Sequence, residues 1–150
     1  WLFFELLWRD FFKYVSMQHR NKFFSKDGIY GNKMEWSQED SKIKSWINGE
    51  TKETFVNANM RELASTGFMS NRGRQNVANY LTKELKVDWR IGAEYFEALL
   101  IDYDVHSNYG NWLYNAGIGN DSMPFRKFNP TLQSERYDPN KDYENTWLNE

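Results

Sequence analysis

Glu5, Trp8 and Arg9 stand at i, i+3 and i+4, so in a helix they share one face. One reading of this face is a Glu–Arg pair beside a core tryptophan. The other is a flat ring for stacking, an acid for hydrogen bonding and a nearby cation, the groups that receive a base flipped out of DNA. Asn71, Arg72 and Arg74 follow Ser70, whose hydroxyl suits an N-cap, so they open a helix. Free backbone N–H groups there favour anions and polar ligands. Cations in a first turn oppose the helix dipole, a small cost that either a binding task or plain solvation would accompany. Asp102-Tyr103-Asp104 follows an apolar helix end, again an unfavourable place for carboxylates. One D-x-D without further carboxylates is weak as a hard-metal site and suits a solvated turn equally well.

Rings are the unusual ingredient. Aromatic residues make up 18% of the 150 residues, with seven Trp, nine Tyr and eleven Phe. They serve either a core of large rings or a site that stacks bases or carries electrons. The net charge is −2, so no whole-chain basic field attracts nucleic acid, and DNA binding would need a local patch. Lys13, Arg72, Arg126 and Lys127 are the candidates for one. Without cysteine there are no disulfides or thiolate metal sites, and His19 and His106 are too few for a histidine-based one. No apolar run approaches the roughly 20 residues of a membrane span. The apolar start at Trp1 is broken by Glu5, Arg9 and Asp10, and it lacks the pattern of a secretion signal. An apolar opening without an initiator Met leads us to expect a fragment that begins inside a helix of a longer, soluble intracellular protein.

The elements that must position these residues are helical. Residues 1–19 place Leu2, Leu6, Phe11, Phe12 and Val15 at helical spacing, and residues 20–40 read as a long loop. Ser41 is read as the cap of a short helix through Trp46, stopped by Gly49. A helix over about 55–65 ends at Gly67, and the next, capped by Ser70, buries Val77, Ala78, Leu81 and Leu85. Another helix is expected over about 91–101. The Gly/Asn-rich stretch 107–121 breaks simple periodicity, and after it Pro124, Pro130 and Pro139 predict mostly loop until a short helix near 140–148. No alternating strand pattern or repeat interrupts this order, so the predicted class is all-α.

Six segments in sequence order resemble the flavin-binding domain of photolyases and cryptochromes. They are ELLWRDFF at 5–12, NMRELASTGFMSNRGRQ at 59–75, VDWR at 87–90, LIDYD at 100–104, NYGNW at 108–112 and RKFNPTLQ at 126–133. The resemblance covers almost the whole chain and implies a helical bundle over 1–150 that binds FAD. It also implies that the family's N-terminal α/β antenna domain, with a folate such as methenyltetrahydrofolate, and its upstream flavin-phosphate loop lie outside this sequence. The piece alone is then expected to be inactive and to bind FAD poorly.

By the same resemblance, Arg9, Arg74, Asp102, Tyr103, Asp104 and Asn108 are cofactor-binding residues, with Asn108 facing the reactive flavin N5 and Arg74 paired to Asp102. Glu5, Trp8 and Asn71 are implied at the lesion, and Arg72, Gln75, Tyr114 and Gln133 at DNA. Trp112, Trp89 and Trp36 match the family's electron-transfer chain, running from flavin to solvent, whereas Trp1, Trp46 and Trp147 have no match and are read as packing residues. Tyr114, Gln75 and Asn111 resemble the DASH branch. Tyr offers less stacking area than Trp, which implies dimer repair in single-stranded rather than duplex DNA. The implied activity is that of a deoxyribodipyrimidine photo-lyase, a monomer without a membrane partner, in the cytoplasm of a bacterium or the nucleus or an organelle of a eukaryote. The alternatives are a blue-light cryptochrome photoreceptor that signals without repair, and a helical bundle with no cofactor.

Overall fold

The computed structural model describes residues 2–121, 123 and 126–149; Trp1 and Pro124 lie outside them. Eight α-helices follow one another among the described residues: α1 (Leu2–His19), α2 (Asp40–Ile47), α3 (Thr54–Thr66), α4 (Asn71–Asn79), α5 (Trp89–Leu99), α6 (Val105–Ala116), α7 (Pro130–Tyr137) and α8 (Asp142–Leu148). No strand occurs among the described residues, only one parallel bridge between Ser37 and Val87. The all-α class stands. Among the described residues no helix is long and apolar enough to cross a membrane.

Caps explain most boundaries. Ser70 Oγ accepts from Gly73 N at 3.0 Å, as its position predicts, and Asp104 Oδ1 accepts from Ser107 N at 2.8 Å. Gly67 and Gly117 close α3 and α6 with φ of 70° and 75°, the left-handed region that a residue without Cβ adopts freely.

Several predicted boundaries need correction. The stretch 107–121 is not irregular: α6 runs through it to Ala116, started by the Asp104 cap. The segment before 140 is not all loop, because Pro130 occupies the first turn of α7, where its missing N–H costs nothing, and Asn129 caps it. Residues 20–40 contain a 3₁₀ turn at Arg20–Phe24. Helix α2 starts at Asp40, with Glu39 rather than Ser41 at its N-cap. Helix α5 begins at Trp89 because Asp88 caps it, and it ends at Leu99. The helix from Ser70 does not stay regular either. After Asn79 it widens into a π turn at Tyr80–Glu84, and Leu85 is only half-buried.

The core lies between α2, α3, α4, α5 and α6, where Trp46, Met60, Leu63, Val77, Leu81 and Trp89 are all 0% exposed. Burying each such aliphatic side chain stabilises the fold by about 1.5–3 kcal/mol. Trp46 reaches from α2 and satisfies its indole by donating to Val77 O at 3.1 Å. Helix α1 is attached differently. Phe12, Val15 and Ser16 are its buried residues, and Ser16 Oγ meets His106 Nδ1 of α6 at 2.9 Å. Gly110 of α6 permits this contact, since a Cβ there would lie 2.3 Å from the Phe12 ring.

Candidate functional site

A cavity of about 300 Å³ opens where α4, α5, α6, the turn at Leu100–Asp104 and the first turns of α1 meet. Of the predicted cofactor residues, Arg74, Asp102, Tyr103, Asp104 and Asn108 line it, together with Trp112. Arg74 Nη2 donates to both Asp102 carboxylate oxygens at 2.9 Å, while its Nε donates to Met69 O at 2.8 Å. The Asp102 side chain is 55% exposed, so the pair positions Arg74 more than it stabilises the fold. Burial alone would raise the Asp104 carboxyl. Bonds from the Ser107 N–H and hydroxyl, with His106 and Arg9 nearby, hold it below the usual carboxylate range. Burial, then hydrogen bonding to Glu97, pushes the Tyr103 phenol up to about 12, so it is neutral and a donor at physiological pH.

Asn108 and Trp112 lie one turn apart on α6 and are 8% and 2% exposed. Asn108 Nδ2 donates to Ala93 O of α5 at 2.9 Å. Among the described residues its Oδ1 has no hydrogen-bond donor, which leaves it as an acceptor available to a ligand. Trp112 packs onto α5 at Gly92, where a Cβ would lie 2.2 Å from the indole. Phe96 meets Trp112 edge-to-face at 5.1 Å, and Trp46 meets it at 6.2 Å, so the ring is held from several sides.

The predicted lesion residues gather on the same cavity in part. Glu5, Asn71 and Gln75 line it. Trp8, 47% exposed, lies outside the lining and meets Tyr114 of α6 edge-to-face at 6.4 Å, so these two predicted DNA residues do come together. Arg9 is also outside the lining. Its guanidinium lies 3.4 Å from Asp10, and it touches the cavity only through its charge on Asp104. Arg72 stacks its guanidinium over Tyr137 of α7, 5.0 Å from the ring centroid, and Gln133 accepts from Asn76 Nδ2 at 3.4 Å. These two sit on the α4–α7 side, away from the cavity wall.

All three predicted electron-transfer tryptophans are buried, with Trp36 8%, Trp89 0% and Trp112 2% exposed. No two of their rings touch among the described residues. Trp46, read as packing alone, is in contact with Trp112 instead. The sequence reading also passed over Ser107, Asn115 and Phe96 as lining residues. Asn108, Asn111 and Asn115 at i, i+3 and i+7 were a legible sign of one polar helix face.

An all-α bundle with an arginine–carboxylate edge, a tethered amide and a buried tryptophan around one cavity is the arrangement that the sequence resemblance implies for a flavin-binding helical domain. The chain belongs to the family of FAD binding domains of DNA photolyase, whose pattern matches residues 1–150. It is 55% identical to a cryptochrome DASH of Danio rerio over 150 residues, all of this chain and 29% of that protein. The cryptochrome of Synechocystis sp. PCC6803 superposes with a TM-score of 0.96 at 55% identity, over 100% of this chain and 31% of the other. An archaeal photolyase from Sulfolobus tokodaii, solved with two FAD molecules, superposes with a TM-score of 0.90 at 39% identity, over 96% of this chain and 33% of that one. The chain thus spans under a third of the length of its DASH relative.

Proposed function

We propose that in its full-length parent this domain holds the flavin ring of FAD and an extruded pyrimidine dimer in one cavity. Light-driven electron transfer between them splits cyclobutane pyrimidine dimers in single-stranded DNA. One observation carries this reading: Glu5, Asn71 and Gln75 line the same cavity as Asn108 and Trp112. A signalling domain needs the flavin set; it does not need a lesion set beside it.

The residues present fit a flavin. The cavity, about 300 Å³, falls at the small end of the roughly 300–1,000 Å³ of small-molecule sites. We assign the grip on the phosphates to the upstream loop expected from the resemblance, and the antenna folate to the α/β domain. Asn108 Oδ1, without a donor among the described residues, offers an acceptor to a protonated ring nitrogen and so favours a neutral or reduced flavin. Bound reduced FAD supplies light absorption and one-electron donation.

The chain's own residues do the rest. Arg74, fixed by Met69 O and Asp102, holds the cofactor edge as a charged donor whose geometry is set in advance. Trp8 and Tyr114 provide ring faces for the extruded bases, each stack worth about 1–3 kcal/mol. Glu5 hydrogen-bonds the dimer and stabilises the radical anion that forms on it. Opening of the cyclobutane ring is followed by return of the electron, so the cycle has no net redox change. The test is to irradiate the reduced, FAD-loaded parent with a dimer-containing single-stranded oligonucleotide. Loss of dimers is expected; intact dimers after prolonged light would leave photoreception as the function.

A further inference from the structure

Trp89 is a poor place for an oxidising equivalent to stop. It is 0% exposed, and its indole N–H donates to Lys26 O at 3.3 Å, an amide oxygen too weakly basic to take the proton. Trp36, the predicted exit to solvent, is only 8% exposed, and its Nε1 is buried without a hydrogen-bond partner among the described residues. An indole radical cation that keeps its proton remains a strong oxidant and takes its electron back from the cofactor side.

One ring contacts Trp89 among the described residues: Tyr109 of α6, edge-to-face with centroids 5.9 Å apart. Tyr109 Oη donates to Glu97 Oε2 of α5 at 3.1 Å. Phe24 packs on the Tyr109 ring at 4.9 Å and fixes its orientation. The phenol is half-buried, whereas Glu97 is exposed. An electron source, a proton acceptor and a proton exit to water are therefore aligned on a ring touching Trp89.

We infer that Tyr109 and Glu97 form a proton-coupled redox branch that ends the photoreduction chain at Trp89. The inference rests on the tryptophan electron-transfer chain that the sequence resemblance implies and on the flavin proposed to lie against Trp112. The oxidant would be the Trp89 radical cation; a bound, light-excited oxidised flavin would supply the one-electron oxidation by way of Trp112. One electron passes from the Tyr109 phenol to the Trp89 indole, and the phenolic proton passes to the Glu97 carboxylate. The products are neutral Trp89, a neutral Tyr109 radical and a protonated Glu97 that exchanges with water; no further reactant is consumed. Burial, then the bond to Glu97, pushes the phenol pKa up, so Tyr109 starts protonated and must lose its proton as it is oxidised. That loss makes the tyrosyl radical a weaker oxidant than an indole radical cation, and it slows electron return.

Transient absorption and EPR on the full-length parent loaded with oxidised FAD test this. After a blue flash, tryptophan radical signals should give way to a neutral tyrosyl signal, more slowly in D2O than in H2O. Tyr109→Phe should abolish the tyrosyl signal and shorten the charge-separated state while tryptophan radicals still form. Glu97→Gln, which retains a hydrogen-bonding group but removes the base, should slow tyrosyl formation and weaken the signal. Tryptophan radicals without any tyrosyl signal in the wild type, or a full tyrosyl signal in Tyr109→Phe, would overturn the branch alone. A flavin-loaded wild type that forms no tryptophan radical would overturn the branch and the photoreduction reading together.

Discussion

The two sides of the cavity are built in opposite ways. On the α4–α6 side, each functional side chain is tied by a second contact: Arg74 to Met69 O and Asp102, Asn108 to Ala93 O, Trp112 to Phe96 and Trp46. On the α1 side only Glu5 reaches the lining; Trp8 beside it is 47% exposed, and Leu2, Phe3 and Phe4 are 73%, 67% and 63% exposed on a helix seated mainly through Phe12, Val15 and Ser16. The side proposed to hold the cofactor is thus preorganised by contacts within this chain. Glu5, from the first turns of α1, lines the same cavity, while α1 is anchored on α6 by its later turns.

Two glycines probe that contrast. Gly92→Ala should produce the larger loss, up to about 3 kcal/mol in denaturant unfolding, because Trp112 is blocked on its other sides by rings and cannot retreat. Flavin photoreduction in the loaded parent should fall with it. Gly110→Ala meets Phe12 just as closely, yet Phe12 packs against the exposed Trp8 and Phe11 rings, which have room to shift, so the loss should be nearer about 1 kcal/mol. Equal losses at the two sites would break the comparison.

Trp8→Ala should weaken binding of a dimer-containing oligonucleotide by about 1–3 kcal/mol and leave the flavin spectrum unchanged, read by fluorescence titration. A shifted flavin spectrum would show the two halves to be less separate than the contacts indicate.

The smallest effect concerns Asp104. Its folded carboxyl is held below the ordinary range, so the stability it adds is present above its unfolded pKa and lost as pH falls through the lower folded value. Because Asp104 is exposed, solvent screening reduces this to a fraction of a kcal/mol. Asp104→Asn keeps an N-capping oxygen and should flatten the acid limb of the stability profile without unfolding the domain.

Much of the fold was legible where a cap or an apolar stripe dominates. Ser70, Gly67 and the Val77–Ala78–Leu81 face behave as local chemistry predicts. Helix α6 was missed because Asn108, Gly110, Asn111 and Asn115 are weak helix formers, and the Asp104 cap and tertiary packing override them. The π turn after Asn79 has no sequence signature that periodicity can detect. The cavity residues came from resemblance, since spacing cannot show that Arg74 and Asp102 meet or that Glu5 reaches the same cavity from a helix far away in sequence. Tyr109 escaped notice for a related reason. Its meaning lies in touching Trp89 and Glu97 on a neighbouring helix.

The central claim is that cofactor and lesion occupy one cavity. A crystal structure of the full-length parent with FAD and a dimer-containing single strand tests it most directly. The flavin ring should lie against Asn108 and Trp112, with the dimer between it and the Glu5, Trp8 and Tyr114 side chains. A flavin outside this cavity, or a dimer bound on another face with Glu5 facing solvent, would contradict the account.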